Sequence, residues 1–164
     1  CKQLAYGSSG VALFDLVFHD IDYALDLLGE PQKISGNYLP GKLSAHDYIN
    51  AAWKYADNDL TVKIEGGNIF HAAFPFQAGF MASFEEAGIS YSTSKPDRIF
   101  ISDDGQTVET MTGNLEEGYY DEIDYFARCM EENRKPADCS PESSLATIRL
   151  CYKHLKLCDP FNTN

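Results

Sequence analysis

The sequence predicts an α+β chain: one helix, then a run of antiparallel strands, then two closing helices. Three observations carry this. Residues 10–31 place apolar side chains at helical spacing; residues 33–112 break into alternating segments separated by Gly, Asn and Asp turns; and residues 119–130 and 140–155 return to a helical period. At 164 residues, 44% hydrophobic and 23% charged, the chain has ordinary globular composition and enough length to bury the core of one domain.

The first helix reads GVALFDLVFHDIDYALDLLGEP. At about 100° per residue, Asp15, His19, Asp22 and Asp26 share one stripe roughly 60° wide. Leu13, Phe14, Leu16, Val17, Phe18, Ile21, Tyr23, Ala24, Leu25, Leu27 and Leu28 fill the rest of the circumference, with Asp20 the one outlier. A surface helix has an apolar stripe and a broad polar face; here the proportions are reversed, which predicts that the polar stripe lines a cleft. Gly29 is placed to stop the helix and Pro31 forbids its continuation.

A strand is expected from about Lys33. Turns at Asp57-Asn58-Asp59, Gly66-Gly67-Asn68, Glu86-Ala87-Gly88 and Asp103-Asp104-Gly105 join the segments that follow, and turns this short connect antiparallel neighbours. Ile49, Ala51, Trp53 and Tyr55 alternate with Asn50, Ala52 and Lys54, as Leu60, Val62 and Ile64 do with Thr61, Lys63 and Glu65. One face of such a sheet packs and the other is more polar. Over residues 70–84 every even position is Phe or Ala, while Pro75 cannot donate to a ladder, so this run is two strands with a break or one edge strand. Its Phe side chains either pack beneath helices of the same chain or form a subunit interface.

In the last third, Tyr119, Tyr120, Ile123, Phe126, Ala127 and Met130 recur at helical spacing before Pro136. Ser140, Pro141 and Glu142 make a helix start, and Leu145, Ile148, Tyr152 and Leu155 are its expected buried face.

Lys and Arg number 13 against 25 Asp and Glu, a formal charge of −12, which repels nucleic-acid backbones and anionic membranes. Asp15 interrupts the longest apolar run, so no segment approaches the roughly 18 uncharged residues of a membrane span. Five cysteines without a CxxC pair fit reduced thiols, with Cys151 and Cys158 read as small buried residues. The chain begins with Cys1 and no export signal follows, so it is expected to be the interior of a longer, cytoplasmic protein.

Histidine titrates nearest neutrality and can both take and return a proton. Asp15 and His19 are spaced to reach one bound molecule, the carboxylate accepting hydrogen bonds from hydroxyls and the imidazole accepting the proton of a hydroxyl under oxidation. Sugars and polyols suit that pair; a satisfied structural Asp–His pair is the competing reading. Two rival chemistries are open. His19, Asp20 and Asp22 offer donors to a divalent metal for hydrolysis, although neighbours on a helix point apart. Ser8 or Ser9 beside His19 would suit nucleophilic catalysis, without a GxSxG elbow.

With its G-x-x-x-x-D-x-x-x-H-x-I-D-x-x-x-x-L-x-G-x-P pattern, the stretch 10–31 resembles the start of the C-terminal domain of the Gfo/Idh/MocA oxidoreductases, the relatives of glucose–fructose oxidoreductase and inositol dehydrogenase. The likeness continues through IEGGNIF and through YYDEIDYFARCMEENRKPADCSPESSLATIRL, and so covers nearly the whole chain. It implies an open, predominantly antiparallel β-sheet with helices packed on one face, all 164 residues forming one substrate-binding and oligomerisation domain. By the same resemblance Asp15 is the substrate-binding aspartate and His19 the catalytic histidine, which exchanges a proton with the substrate hydroxyl while hydride passes to NAD or NADP. Asp22 matches a structural acidic position. Neither GxGxxG nor Glu-Lys-Pro occurs in the chain, so the N-terminal Rossmann domain of the parent is absent and the fragment is expected to bind no cofactor and no metal. The implied partners are a sugar, inositol or polyol, the parent's own Rossmann domain, and further copies of the chain through the open sheet face. The alternatives are a non-catalytic binding or oligomerisation module of the same fold and a metal-dependent hydrolase.

Overall fold

A computed structural model describes residues 12–41, 46–56, 59–103, 105–111, 117–138 and 140–157, and every structural statement below concerns these. Ser8, Ser9, Gly10, the Asp57-Asn58 turn, Cys139 and Cys158 lie outside them. The order is a π turn (Leu13–Val17), α1 (Phe18–Leu28), strands β1 (Lys33–Leu39), β2 (Tyr48–Lys54), β3 (Thr61–Gly67), β4 (Gly79–Ser83), β5 (Ala87–Ser92), β6 (Arg98–Asp103) and β7 (Gln106–Met111), then α2 (Glu117–Glu131) and α3 (Pro141–Lys156). The α+β class is as expected. The antiparallel strands form two sheets, β1-β2-β3 and β4-β5-β6-β7, in two compact units, Cys1–His71 with Cys139–Asn164 and Ala72–Asp138. Residues 71–78, with Pro75 among them, take no strand conformation, and β4 starts only afterwards.

In the first unit β2 is the central strand, with Ile34 opposite Trp53 and Trp53 opposite Val62. The alternation read from sequence is reproduced: Ile49, Ala51, Trp53 and Ile64 are buried and form the core with Leu13, Val17, Ile21, Leu150 and Cys151. Each large apolar side chain removed from water contributes about 1.5–3 kcal/mol, and Trp53, fully buried at the middle strand, is the largest of them.

Tight approaches bring the first helix down onto β3. A Cβ on Gly66 would lie 3.1 Å from Val17 Cγ2, a methyl that can yield slightly. A Cβ on Gly67, whose φ is +157°, would lie 2.1 Å from the Asp47 carbonyl oxygen and 2.6 Å from Tyr48 Cα, both backbone atoms of the paired strand. Gly67→Ala is therefore expected to cost about 1–3 kcal/mol, more than Gly66→Ala, as read from urea unfolding midpoints. The reverse order of cost would show that this hairpin, and not the helix contact, has room to move.

In the second unit the register sets Phe80, Tyr91 and Ile99 in one row and Ala82, Ile89 and Ile101 in the next, giving one apolar sheet face. Among the described residues of this unit only Cys129 is buried. Phe74, Phe76, Phe80 and Phe84 are exposed, so the reading that packs them beneath helices of the same chain is corrected for the described residues. Tyr119, Tyr120, Ile123, Phe126 and Met130 form the exposed apolar side of α2. No described helix is long and apolar enough to cross a membrane.

Candidate active site

The polar stripe of the first helix is built on an irregular turn. Leu13, Val17 and Ile21 are all fully buried at a strict spacing of four, although four residues of ordinary α-helix overshoot a full turn by about 40°. The wider π turn at Leu13–Val17 absorbs that overshoot and keeps the three on one line against the sheet. π turns inside helices recur at functional sites, and this one carries Asp15.

Asp15 and His19 are both exposed, as are Asp22 and Asp26. The polar side is broader than the 60° stripe and includes Tyr23, Leu27 and Leu28, at 53%, 59% and 41% exposure. The expectation that this stripe lines a cleft is thus corrected for the described residues: its four polar side chains stand exposed, and the first helix packs against the sheet and α3. Phe18 stands edge-on to the His19 ring, with centroids 5.8 Å apart at 88°. Asp20 keeps an exposed surface, yet enough protein surrounds its carboxyl to push its pKa above the ordinary carboxylate value, with the neighbouring His19 charge opposing. Among the described residues no three His, Cys, Asp or Glu side chains converge where a metal could be held, so His19, Asp20 and Asp22 are not brought together as a ligand set.

Asp22 has a different task. The Thr147 hydroxyl, fully buried on α3, donates to Asp22 Oδ1 and lies 3.3 Å from the Ser143 carbonyl oxygen. This bond fixes α1 against α3 one turn after His19. At the end of α1, Gly29 takes φ +76° and its N–H donates to the Leu25 carbonyl at 2.9 Å, so the expected helix stop is there. Tyr55 Oη donates to the Gly29 carbonyl at 3.2 Å, and Glu30 pairs with Lys153.

Helix α3 starts as predicted, with Ser140 Oγ accepting from the Ser143 N–H at 3.0 Å and Pro141 in the first turn. Its buried face is not the expected one. Leu145, Ile148 and Tyr152 are exposed and Leu155 is partly buried, whereas Thr147, Leu150, Cys151 and His154 are buried, one residue out of phase. His154 is the residue the sequence reading passed over: Trp53 Nε1 donates to its Nε2 at 2.8 Å, and its Nδ1 lies 2.8 Å from the Leu150 carbonyl. The available signal was a lone His in phase with Leu150 and Cys151 on the same helix. Cys151 is no nucleophile, since burial and the nearby Asp22 charge push its thiol up to about 11.

Among the described residues the paired strands are antiparallel throughout, and none leads through a glycine-rich turn into a helix, the arrangement that cradles a pyrophosphate. What the arrangement can do is present one carboxylate and one imidazole, four residues apart and both exposed on the first helix, to something brought against it.

No family model and no curated protein sequence matches the chain; its likeness is to solved structures. It is similar to UDP-N-acetylglucosamine 3-dehydrogenase GnnA from Acidithiobacillus ferrooxidans, at a TM-score of 0.77 and 14% identity over 92% of this chain and 48% of that one. It is similar to levoglucosan dehydrogenase, solved with NADH and levoglucosan, at 0.74 and 15% over 91% and 48%. A third likeness is to the biliverdin reductase of Synechocystis sp. PCC 6803, solved with biliverdin and NADP+, at 0.68 and 14% over 89% and 46%. The chain thus spans about half the length of these proteins and shares the α+β fold of the part it matches.

Proposed function

We propose that the chain is the substrate-binding half of an NAD(P)-dependent oxidoreductase of the Gfo/Idh/MocA type, acting on a CH–OH group of a sugar, inositol or related polyol. The single observation that supports this best is the exposed Asp15–His19 pair on the first helix of a fold shared with dehydrogenases. Asp15 accepts hydrogen bonds from substrate hydroxyls, and His19 takes the proton of the hydroxyl that is oxidised and returns it in reduction. The nicotinamide, carried by the parent's Rossmann domain, supplies the hydride side of the reaction. Closure of that domain over α1 would exclude water and convert the open helix face into the cleft that the proportions of the helix call for. The fold alone does not choose the substrate, since proteins solved with levoglucosan and with biliverdin share it.

The apolar face of the second sheet, together with exposed Phe74, Phe76 and Phe84, suits contact between copies of the parent. The thiols of Cys129 and Cys151 are free, in keeping with a cytoplasmic location.

The test is to assay the parent with a panel of sugars and polyols for substrate-dependent NAD(P)H formation. Formation that is lost when either half is omitted is the expected result. A parent that binds a sugar without any nicotinamide turnover would instead establish a non-catalytic module. Calorimetric titration of this fragment with NADH should give no heat of binding; tight binding would overturn the division of labour proposed here.

A further inference from the structure

One buried group of the first unit plays no part in the proposed reaction. His154 on α3 is fully buried, and both ring nitrogens are committed. The Leu150 carbonyl can only accept, so Nδ1 carries the hydrogen; the Trp53 indole N–H can only donate, so Nε2 must be bare. The imidazole is therefore neutral and in one tautomer, and it joins the last turns of α3 to the central strand β2 across 101 residues of chain.

We propose that the Trp53–His154 hydrogen bond is a proton-operated latch: a proton taken up at His154 Nε2 sets donor against donor, breaks the bond to Trp53, and frees α3 from β2. The same helix holds Asp22 through Thr147, so release of α3 also loosens α1 one turn beyond His19.

Among the described residues the ionisable groups on the elements packed around the imidazole are exposed, paired or uncharged. On α1 and its end, Asp22 accepts from Thr147, Asp26 is exposed and Glu30 pairs with Lys153. On and beside β2, Lys54 is exposed and Tyr55 donates to the Gly29 carbonyl. On α3 itself the Cys151 thiol is kept protonated by burial and Asp22, and Arg149, Lys153 and Lys156 are exposed. Burial holds the His154 pKa below the ordinary 6.5, with the Leu150 bond opposing. The sign follows. Between 6.5 and the lower folded value the unfolded form binds the extra proton and the folded form does not, so stability present above 6.5 falls as pH falls through that window.

The experiment uses the 164-residue chain, in which Trp53 is the single tryptophan. Nitrogen NMR of the four imidazoles gives the His154 tautomer and midpoint; Trp53 emission and amide exchange of α3 are followed over the same pH series. The expected result is a bare Nε2 at neutral pH, a midpoint below 6.5, and a change in Trp53 emission and loss of α3 protection at that midpoint while β4–β7 stay protected. His154→Gln, which retains an acceptor but does not titrate, should abolish the step. The latch is overturned if His154 titrates with no change at Trp53 or α3, if protection is lost everywhere at once, or if the step survives in His154→Gln. The wild-type series decides the matter even if that variant does not fold.

Discussion

Replacing His19 by Asn in the proposed parent oxidoreductase is expected to lower turnover by about 10²- to 10⁴-fold, the range associated with one positioned general acid–base group. Asn keeps a polar head of similar size but cannot take and return a proton near neutrality. Folding should scarcely change, because His19 is exposed with its ring beside the edge of Phe18, and exposed substitutions of this kind usually fall within about 0.5 kcal/mol. Steady-state kinetics beside a thermal melt separate the two effects. Turnover equal to wild type would remove His19 from the mechanism, and a large stability loss would make it structural. Asp15→Asn belongs in the same series: an acceptor of substrate hydrogen bonds acts on KM as well as kcat, whereas a proton acceptor acts chiefly on kcat.

The second large effect concerns the core. Trp53→Ala is expected to destabilise the chain by about 3–5 kcal/mol, the range for emptying a large aromatic site. Against a typical total of about 5–15 kcal/mol, that is enough to leave a substantial unfolded fraction. Two contributions add: the void left in the core cluster to which Trp53 belongs, and the loss of the N–H that it donates to His154 Nε2. Trp53→Phe separates them, since it retains much of the volume but not the N–H, and an unsatisfied buried acceptor costs about 1–3 kcal/mol. Urea titration followed by circular dichroism, which does not need the tryptophan, measures both. A Trp53→Ala chain as stable as wild type would show that β2 is not the centre of this core.

Where sequence and structure agree, the reason is local. The alternation of Ile49, Ala51 and Trp53, the stop at Gly29 and the cap at Ser140 each depend on a few neighbouring residues, and each stands where the pattern put it. The failures come from partners distant in the chain. Thr147 and His154 are polar residues, so the helical period alone puts the buried face of α3 one residue away on Leu145, Ile148 and Tyr152; Asp22 and Trp53, both distant in the chain, supply hydrogen bonds that make the burial of Thr147 and His154 favourable. The Phe run at 70–84 alternates as a strand would, yet Pro75 and its neighbours follow no ladder and the aromatic rings lie exposed. The candidate pair itself was legible from the spacing of Asp15 and His19. Its exposure was not, because a regular helix wheel has no place for the wide turn before Phe18.

That wide turn gives the two proposed site residues separate footings. Asp15 rides on the irregular loop and His19 on the regular spiral beyond it, so a change that tightens or slackens residues 13–17 re-aims the acid while the imidazole stays anchored through Asp22 and Thr147. Under the proposed roles, such a chain can retune which hydroxyl Asp15 grips without disturbing the imidazole that takes the proton.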